Sequence, residues 1–238
     1  MGPDIAKPPV TWRAMRTRYP HLSPANRVQA LPEHRVVYVR NAKAACSTVL
    51  LWLDRIYTGE HDFSPGNVHT ENRLPRPREV GTRRIGQLLS GEAYRFTFVR
   101  DPLRRFVSVY RDKIEKPKRW RTEIQELLGQ EPDIRRSVSI EDFISAIERQ
   151  DPLTAMDPHW RPQHINVMTD LVDYDHIGRI ETFADDLEHI RVAAGLPLVP
   201  VEARNVARRA PDDLLASRPD LEERVRALYA RDYELFGY

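Results

Sequence analysis

Residues 35–59 read Arg35-Val-Val-Tyr-Val-Arg-Asn-Ala-Lys-Ala-Ala-Cys-Ser-Thr-Val-Leu-Leu-Trp-Leu-Asp-Arg-Ile-Tyr-Thr-Gly59. The β-branched run 35–40 has the character of a buried strand, and 49–57 has the length and periodicity of a helix that Gly59 can stop. Between them, residues 41–48 form a strand-to-helix loop. Such a loop offers backbone N–H groups and the positive end of a helix dipole, which suits an anion. Lys43 lies on it, and Ser47 and Thr48 enter the helix, so an ammonium, two hydroxyls and backbone donors can meet one phosphate. The loop holds no glycine and lacks the G-x-x-x-x-G-K-[ST] spacing, so an ATP site with its magnesium hydroxyl is not supported. The plain alternative is an ordinary strand–helix turn with one surface lysine. Cys46 reads as a small, half-buried packing residue, because no base is tied to it by sequence.

A second unit repeats the design. Tyr94-Arg-Phe-Thr-Phe-Val99 is the clearest strand pattern in the chain, and Asp101-Pro102 after it starts a helix expected to run to about Ile114. Arg100 stands where the strand ends, and Ser108 lies about two helical turns on; they converge on one anion if the arginine reaches back along the helix. Arg104, Arg105 and Arg111 read as a solvated basic face. Further on, Ser139 opens an amphipathic helix, residues 175–180 form a third strand, 184–194 a helix closed by Gly195, and 212–235 a last helix. Strands alternating with helices predict a parallel α/β sheet. The expected organisation is an irregular, proline-rich arm over residues 1–34 and a single domain over 35–238, with helical insertion material at 115–165.

The chain has 238 residues, 37 Lys and Arg against 35 Asp and Glu, and 41% hydrophobic residues. A formal charge of +2 argues against a nucleic-acid binder driven by bulk charge and against an acidic disordered segment. The longest apolar runs fall far short of the roughly 18 residues that span a bilayer. One cysteine cannot form an internal disulfide. The expectation is a soluble, cytoplasmic protein.

Together the two phosphate-type turns resemble those of a known family. Lys43-Ala-Ala-Cys-Ser47 is similar to the 5′-phosphosulfate loop, and Phe98-Val-Arg-Asp-Pro102 with Ser108-Val-Tyr110 to the 3′-phosphate motif, of sulfotransferases that use 3′-phosphoadenosine 5′-phosphosulfate (PAPS). The nearer resemblance is to carbohydrate sulfotransferases of the chondroitin 4-O-sulfotransferase type. Val68-His-Thr-Glu-Asn72, His159-Trp160, the segment from Tyr174 to Thr182 and the C-terminal segment from Tyr229 to Tyr238 fit that branch in order. Ala42 stands where the family usually has proline, and residues 167–170 lack the cysteine pair of animal members. The resemblance implies a P-loop-NTPase-like α/β fold. It implies that Lys43, Ala44, Ala45, Cys46, Ser47 and Thr48 cradle the phosphosulfate and that Arg100 and Ser108 hold the 3′-phosphate.

Sulfuryl transfer is an in-line displacement that needs an aligned acceptor hydroxyl, a base for its proton and positive charge at the leaving oxygen. Lys43 is the candidate for that charge, with no metal required. A histidine suits the base. His69, which matches a family histidine, is the first candidate and His159 the second, a structural hydrogen-bonding role being the alternative for each. Trp160 is a stacking candidate for a sugar or adenine, and Glu181 reads as a buried partner of an arginine. The expected acceptor is a carbohydrate, lipid or secondary-metabolite hydroxyl, with no nucleic-acid partner; oligomeric state is not encoded. Two other classes compete. One is a kinase-like phosphotransferase. The other is a non-catalytic polyanion-binding module using residues 95–121, which hold ten Lys and Arg against three Asp and Glu.

Overall fold

The computed structural model describes residues 9–202 and 214–238. The chain forms two compact units, Met1–Val99 with His164–Val206, and Arg100–Gln163 with Ala207–Tyr238. The first unit carries a four-stranded sheet of β1 (Val28–Leu31), β2 (Val36–Val39), β3 (Tyr94–Val99) and β4 (His176–Arg179), in that spatial order. β2 pairs parallel with β3, Val36 opposite Tyr94, and β3 parallel with β4, Phe96 opposite His176. β1 runs antiparallel to β2, Val28 opposite Val39. The sheet is therefore mixed at one edge, and β1 comes from the stretch expected to be irregular. Its sequence Val-Gln-Ala-Leu carries no β-branched run; the buried Gln29 secures it by donating to the Pro75 carbonyl at 3.0 Å.

Around this sheet lie α1 (Trp12–Arg18), α2 (Cys46–Thr58), α3 (Val68–Glu71), α4 (Pro77–Val80) and α5 (Thr82–Gln87), the last continuing into a π turn at Leu88–Glu92. α2 is buried along nearly its whole length, from Ser47 to Ile56, and ends on Gly59 at φ 72°. Every residue of β2 is buried, which is why the strand is apolar on both faces. Tyr38 stacks on Phe96 at 5.1 Å, and Trp52 of α2 meets the same ring edge-on at 6.4 Å. Phe98 packs against Phe183 at 4.8 Å. Its ring also lies against Gly178 of β4, where a Cβ would sit 2.5 Å from a ring carbon, so only glycine fits.

The second unit is helical: α6 (Pro102–Val109) running into a π turn at Tyr110–Ile114, then α7 (Arg119–Leu127), α8 (Ile140–Ile147), α11 (Pro219–Leu228) and α12 (Ala230–Phe236). The short α9 (Gln163–Asn166) and α10 (Phe183–Ala193) complete the chain order. Asp101 caps α6 by accepting the Arg104 N–H at 2.7 Å, and Ser139 caps α8 by accepting that of Asp142 at 3.0 Å. Phe106 stacks on Phe143 at 5.4 Å, and Trp160 meets Phe143 edge-on at 5.7 Å. The expected last helix is broken at Tyr229, whose backbone leaves the helical region (φ −110°, ψ 20°) while its buried hydroxyl donates to the Trp160 carbonyl at 2.6 Å. Residues 212–213 of that expected helix lie outside the described residues.

Candidate functional site

The loop after β2 takes up left-handed backbone without any glycine. Lys43 sits at φ 68° and Ala45 at φ 52°, both left-handed and neither of them glycine. Each such residue costs about 1–2 kcal/mol, strain that the surrounding structure has to hold in place. Left-handed residues alternating with others are the backbone pattern from which anion-binding concavities are made. Ala45 is the N-cap of α2 and has no side chain to cap with, and no acidic residue stands in the first turn. The first-turn N–H groups therefore point from a 13-residue helix with no built-in anion of their own. α6 differs, since the Asp101 carboxylate already occupies its start.

His69 meets this loop. It stands on the one-turn helix α3, and its Nε2 lies 2.9 Å from Ser47 Oγ and 3.9 Å from Cys46 Sγ. Its Nδ1 lies 2.5 Å from Nη2 of Arg40, the last residue before the loop. A guanidinium can only donate, so Nδ1 accepts; the neutral ring then carries its proton on Nε2 and gives it to Ser47. Asn67 caps α3 by accepting the His69 N–H at 3.1 Å. Behind it, Arg73 ties the segment to α2 through the wholly buried Asp54, which accepts from the Arg73 backbone N–H at 2.6 Å and from Nη2 at 2.7 Å. The Arg73 guanidinium also lies 4.0 Å over the Phe63 ring.

In the second unit, Arg100 is half-buried and directly follows β3, and Ser108 is half-buried on α6. His159 is held by Asp157, whose Oδ1 accepts from Nδ1–H at 2.6 Å and from the His159 backbone at 2.8 Å. Burial alone would push the Asp157 carboxyl up; the bonds from His159 and from Trp120 Nε1 outweigh it and bring the pKa down to about 2. Ionised Asp157 accepts the Nδ1 proton, so neutral His159 has its lone pair on Nε2, the reverse of His69. Lys113 Nζ lies 4.1 Å over the Trp120 ring, which meets His159 edge-on at 5.3 Å.

Three expectations change. Trp160 is a core residue, 2% exposed, with Nε1 donating to Gln150 Oε1 at 2.8 Å, so it is no stacking platform; half-buried Trp120 is the aromatic beside His159. Glu181 is exposed rather than buried. Arg105 is not on a solvated face. It is 1% exposed and donates to the carbonyls of Arg161 at 2.9 Å and Pro158 at 3.1 Å, and burial lowers its pKa. Much of the remaining basic run is engaged as well. Arg121 is buried on backbone carbonyls, Arg95 is forked onto Asp175, and Lys113, Lys116 and Lys118 share Asp112. Arg73, Asp54, Gln163 and Asp232 were not singled out in the sequence, where each is an isolated polar residue far from its partner. Among the described residues no group of three or more His, Cys, Asp or Glu is arranged to hold a metal ion, and no helix is long and apolar enough to cross a membrane.

Residues 27–238 match the family model described as the sulfotransferase family. The chain is 28% identical to human carbohydrate sulfotransferase 8 over 242 residues, covering 90% of this chain and 55% of that protein. It is 25% identical to mouse carbohydrate sulfotransferase 12, covering 86% and 58%, and 32% identical to human carbohydrate sulfotransferase 14, covering 86% and 58%. The chain thus spans about half the length of the curated relatives it matches. No solved structure matches it. The family match runs from β1 to the last residue, across the left-handed loop at the head of α2 and the histidine bonded to its serine, and the chain belongs to the sulfotransferase family.

Proposed function

We propose that the chain catalyses transfer of a sulfuryl group from PAPS to a carbohydrate hydroxyl on a P-loop-like α/β scaffold. The observation that carries this reading is the loop 43–48, left-handed at Lys43 and Ala45 over an uncapped helix start, with Ser47 bonded to His69. Lys43 and residues 44–48 would hold the phosphosulfate end, and Arg100 with Ser108 the 3′-phosphate. The donor supplies an activated sulfuryl group on a good leaving phosphate. Lys43 and the loop N–H groups offset charge on the oxygen that leaves, and this needs no metal. The family and the carbohydrate sulfotransferases it matches favour a sugar hydroxyl as acceptor. A kinase reading lacks the glycine loop. The polyanion-module reading is weakened, since Arg105 and Arg121 are buried and Arg95, Lys113, Lys116 and Lys118 pair with carboxylates.

Two histidines answer the need for a base in different ways. His69 adjoins the phosphosulfate loop, but its lone pair faces Arg40. An anionic donor competes for that guanidinium, since a charge-assisted bond outweighs one to a neutral imidazole, and this would release Nδ1 to take a proton. His159 already carries its lone pair on Nε2, held by Asp157. The test is labelled-sulfate transfer from PAPS to pooled glycans. We expect His69→Ala to lose transfer by 10²- to 10⁴-fold while binding 3′,5′-ADP normally, the scale of a lost general base. Full turnover in His69→Ala with loss in His159→Ala moves the role to the second histidine. No transfer by the unaltered protein to any glycan removes the carbohydrate acceptor.

A further inference from the structure

Gln163 is wholly buried, and both ends of its side-chain amide are spent on the backbone of a single residue, Arg100. The Arg100 N–H donates to Gln163 Oε1 at 3.1 Å, and Gln163 Nε2 donates to the Arg100 carbonyl at 2.7 Å. The backbone N–H of Gln163 in turn donates to Oδ2 of Asp232 on α12 at 2.6 Å, and Asp232 is also wholly buried. An unbroken line of hydrogen bonds thus runs from the C-terminal helix through Gln163 to the peptide of Arg100.

The placement has consequences for the Arg100 side chain. Arg100 stands between the last residue of β3 and the N-cap of α6, where neither a strand ladder nor a helix fixes its peptide. Holding the peptide groups on both sides of the Arg100 Cα fixes the direction of its Cα–Cβ bond, and a long side chain then has fewer conformations to lose when it meets an anion. The clamp is itself held. Arg105 grips the carbonyls of Pro158 and Arg161, and Tyr229 that of Trp160, so the turn leading to Gln163 is tied from α6 and from the α11–α12 junction. Only an amide serves here. Glutamate accepts from the Arg100 N–H but repels its carbonyl, and leucine does neither.

We infer that Gln163 is the positioning residue of the 3′-phosphate end of the donor site, preorganising Arg100, with Asp232 as its anchor. This rests on the reading of Arg100 as a 3′-phosphate ligand. The test is calorimetric titration of the full chain with 3′,5′-ADP and with 5′-AMP, which lacks the 3′-phosphate. The unaltered protein should prefer 3′,5′-ADP. Gln163→Leu should lose about tenfold of that affinity while binding 5′-AMP within about twofold of normal, collapsing the ratio. Asp232→Asn, which keeps an acceptor for the Gln163 N–H, should retain most of the ratio. A merely structural role would weaken both nucleotides together. If Gln163→Leu fails to fold, Gln163→Met, close in size and able to make neither bond, gives the same reading. An undiminished ratio in a folded Gln163 variant, or equal loss of both nucleotides, overturns the inference. Absence of any 3′,5′-ADP preference in the unaltered protein instead overturns the assignment of Arg100, and the inference with it.

Discussion

Ala45 has a conformation that costs an L-residue free energy, and its sign can be measured. Replacing alanine by glycine in a helix or loop usually weakens a protein, because glycine has more freedom to lose on folding. At φ 52° the balance reverses, since glycine escapes the clash that alanine suffers. Ala45→Gly should therefore stabilise the protein by about 0.5–1 kcal/mol in urea unfolding, whereas Ala44→Gly, at a buried position outside the left-handed set, should destabilise it. The same residues show what a sequence can and cannot reveal at this scale. Lys43, Ser47 and Thr48 were legible because strand, loop and helix are local patterns and their chemistry is carried by residue type. The bend was not legible, because its usual marker, glycine, is missing and the strain is held by packing. Gln163 and Asp232 stayed hidden for a different reason: 63 residues separate Gln163 from Arg100 and 69 from Asp232, and nothing local marks the pairing.

The elements around the loop show how a buried charge positions a short, otherwise marginal helix. α3 has four residues, too few to hold itself, and depends on its ties. Glu71 accepts from the N–H groups of Gly66 and Asn67 at 3.0 Å each, and Arg73 locks the exit of the turn to Asp54 in α2. Asp54 is 0% exposed in its side chain and Arg73 31%; without the carboxylate, Arg73 keeps Glu60 and the Thr58 hydroxyl but loses its tie to the buried face of α2. Asp54→Ala should destabilise the fold by about 1–3 kcal/mol, the cost of the lost charge-assisted bonds. It should also lower kcat more than it raises KM for the donor, because His69 loses its support while the loop 43–48 keeps its own; stopped assays beside thermal unfolding check both. Element types were largely readable, from β2 and β3 to the capped starts of α6 and α8. β1 was not, having no β-branched run. The break at Tyr229 was not, because burial of that hydroxyl on the Trp160 carbonyl, and not any helix-breaking residue, ends α11.

At the scale of the whole molecule, charge sorts the competing functions. The formal sum is +2, yet the run 95–121 concentrates ten basic residues, of which Arg105 and Arg121 are buried, Arg95 pairs with Asp175 and three lysines share Asp112. A ligand that binds only the folded chain raises its stability by RT ln(1 + [L]/Kd), about 2.7 kcal/mol at a hundredfold excess over Kd. For a chain of this length each kcal/mol moves Tm by roughly 2–4 °C. Saturating 3′,5′-ADP should therefore raise Tm by roughly 5–10 °C, and under the proposed function, which draws its positive charge from side chains and loop N–H groups, the shift should persist in EDTA. ATP with magnesium should give a far smaller shift, as the chain has no glycine-rich loop for a triphosphate. Equal shifts from the two nucleotides, or a shift from 3′,5′-ADP that chelation abolishes, would return the kinase reading to first place. A rise in Tm with added chondroitin sulfate that 3′,5′-ADP does not match would instead favour a polyanion-binding surface, and the two titrations run on one sample.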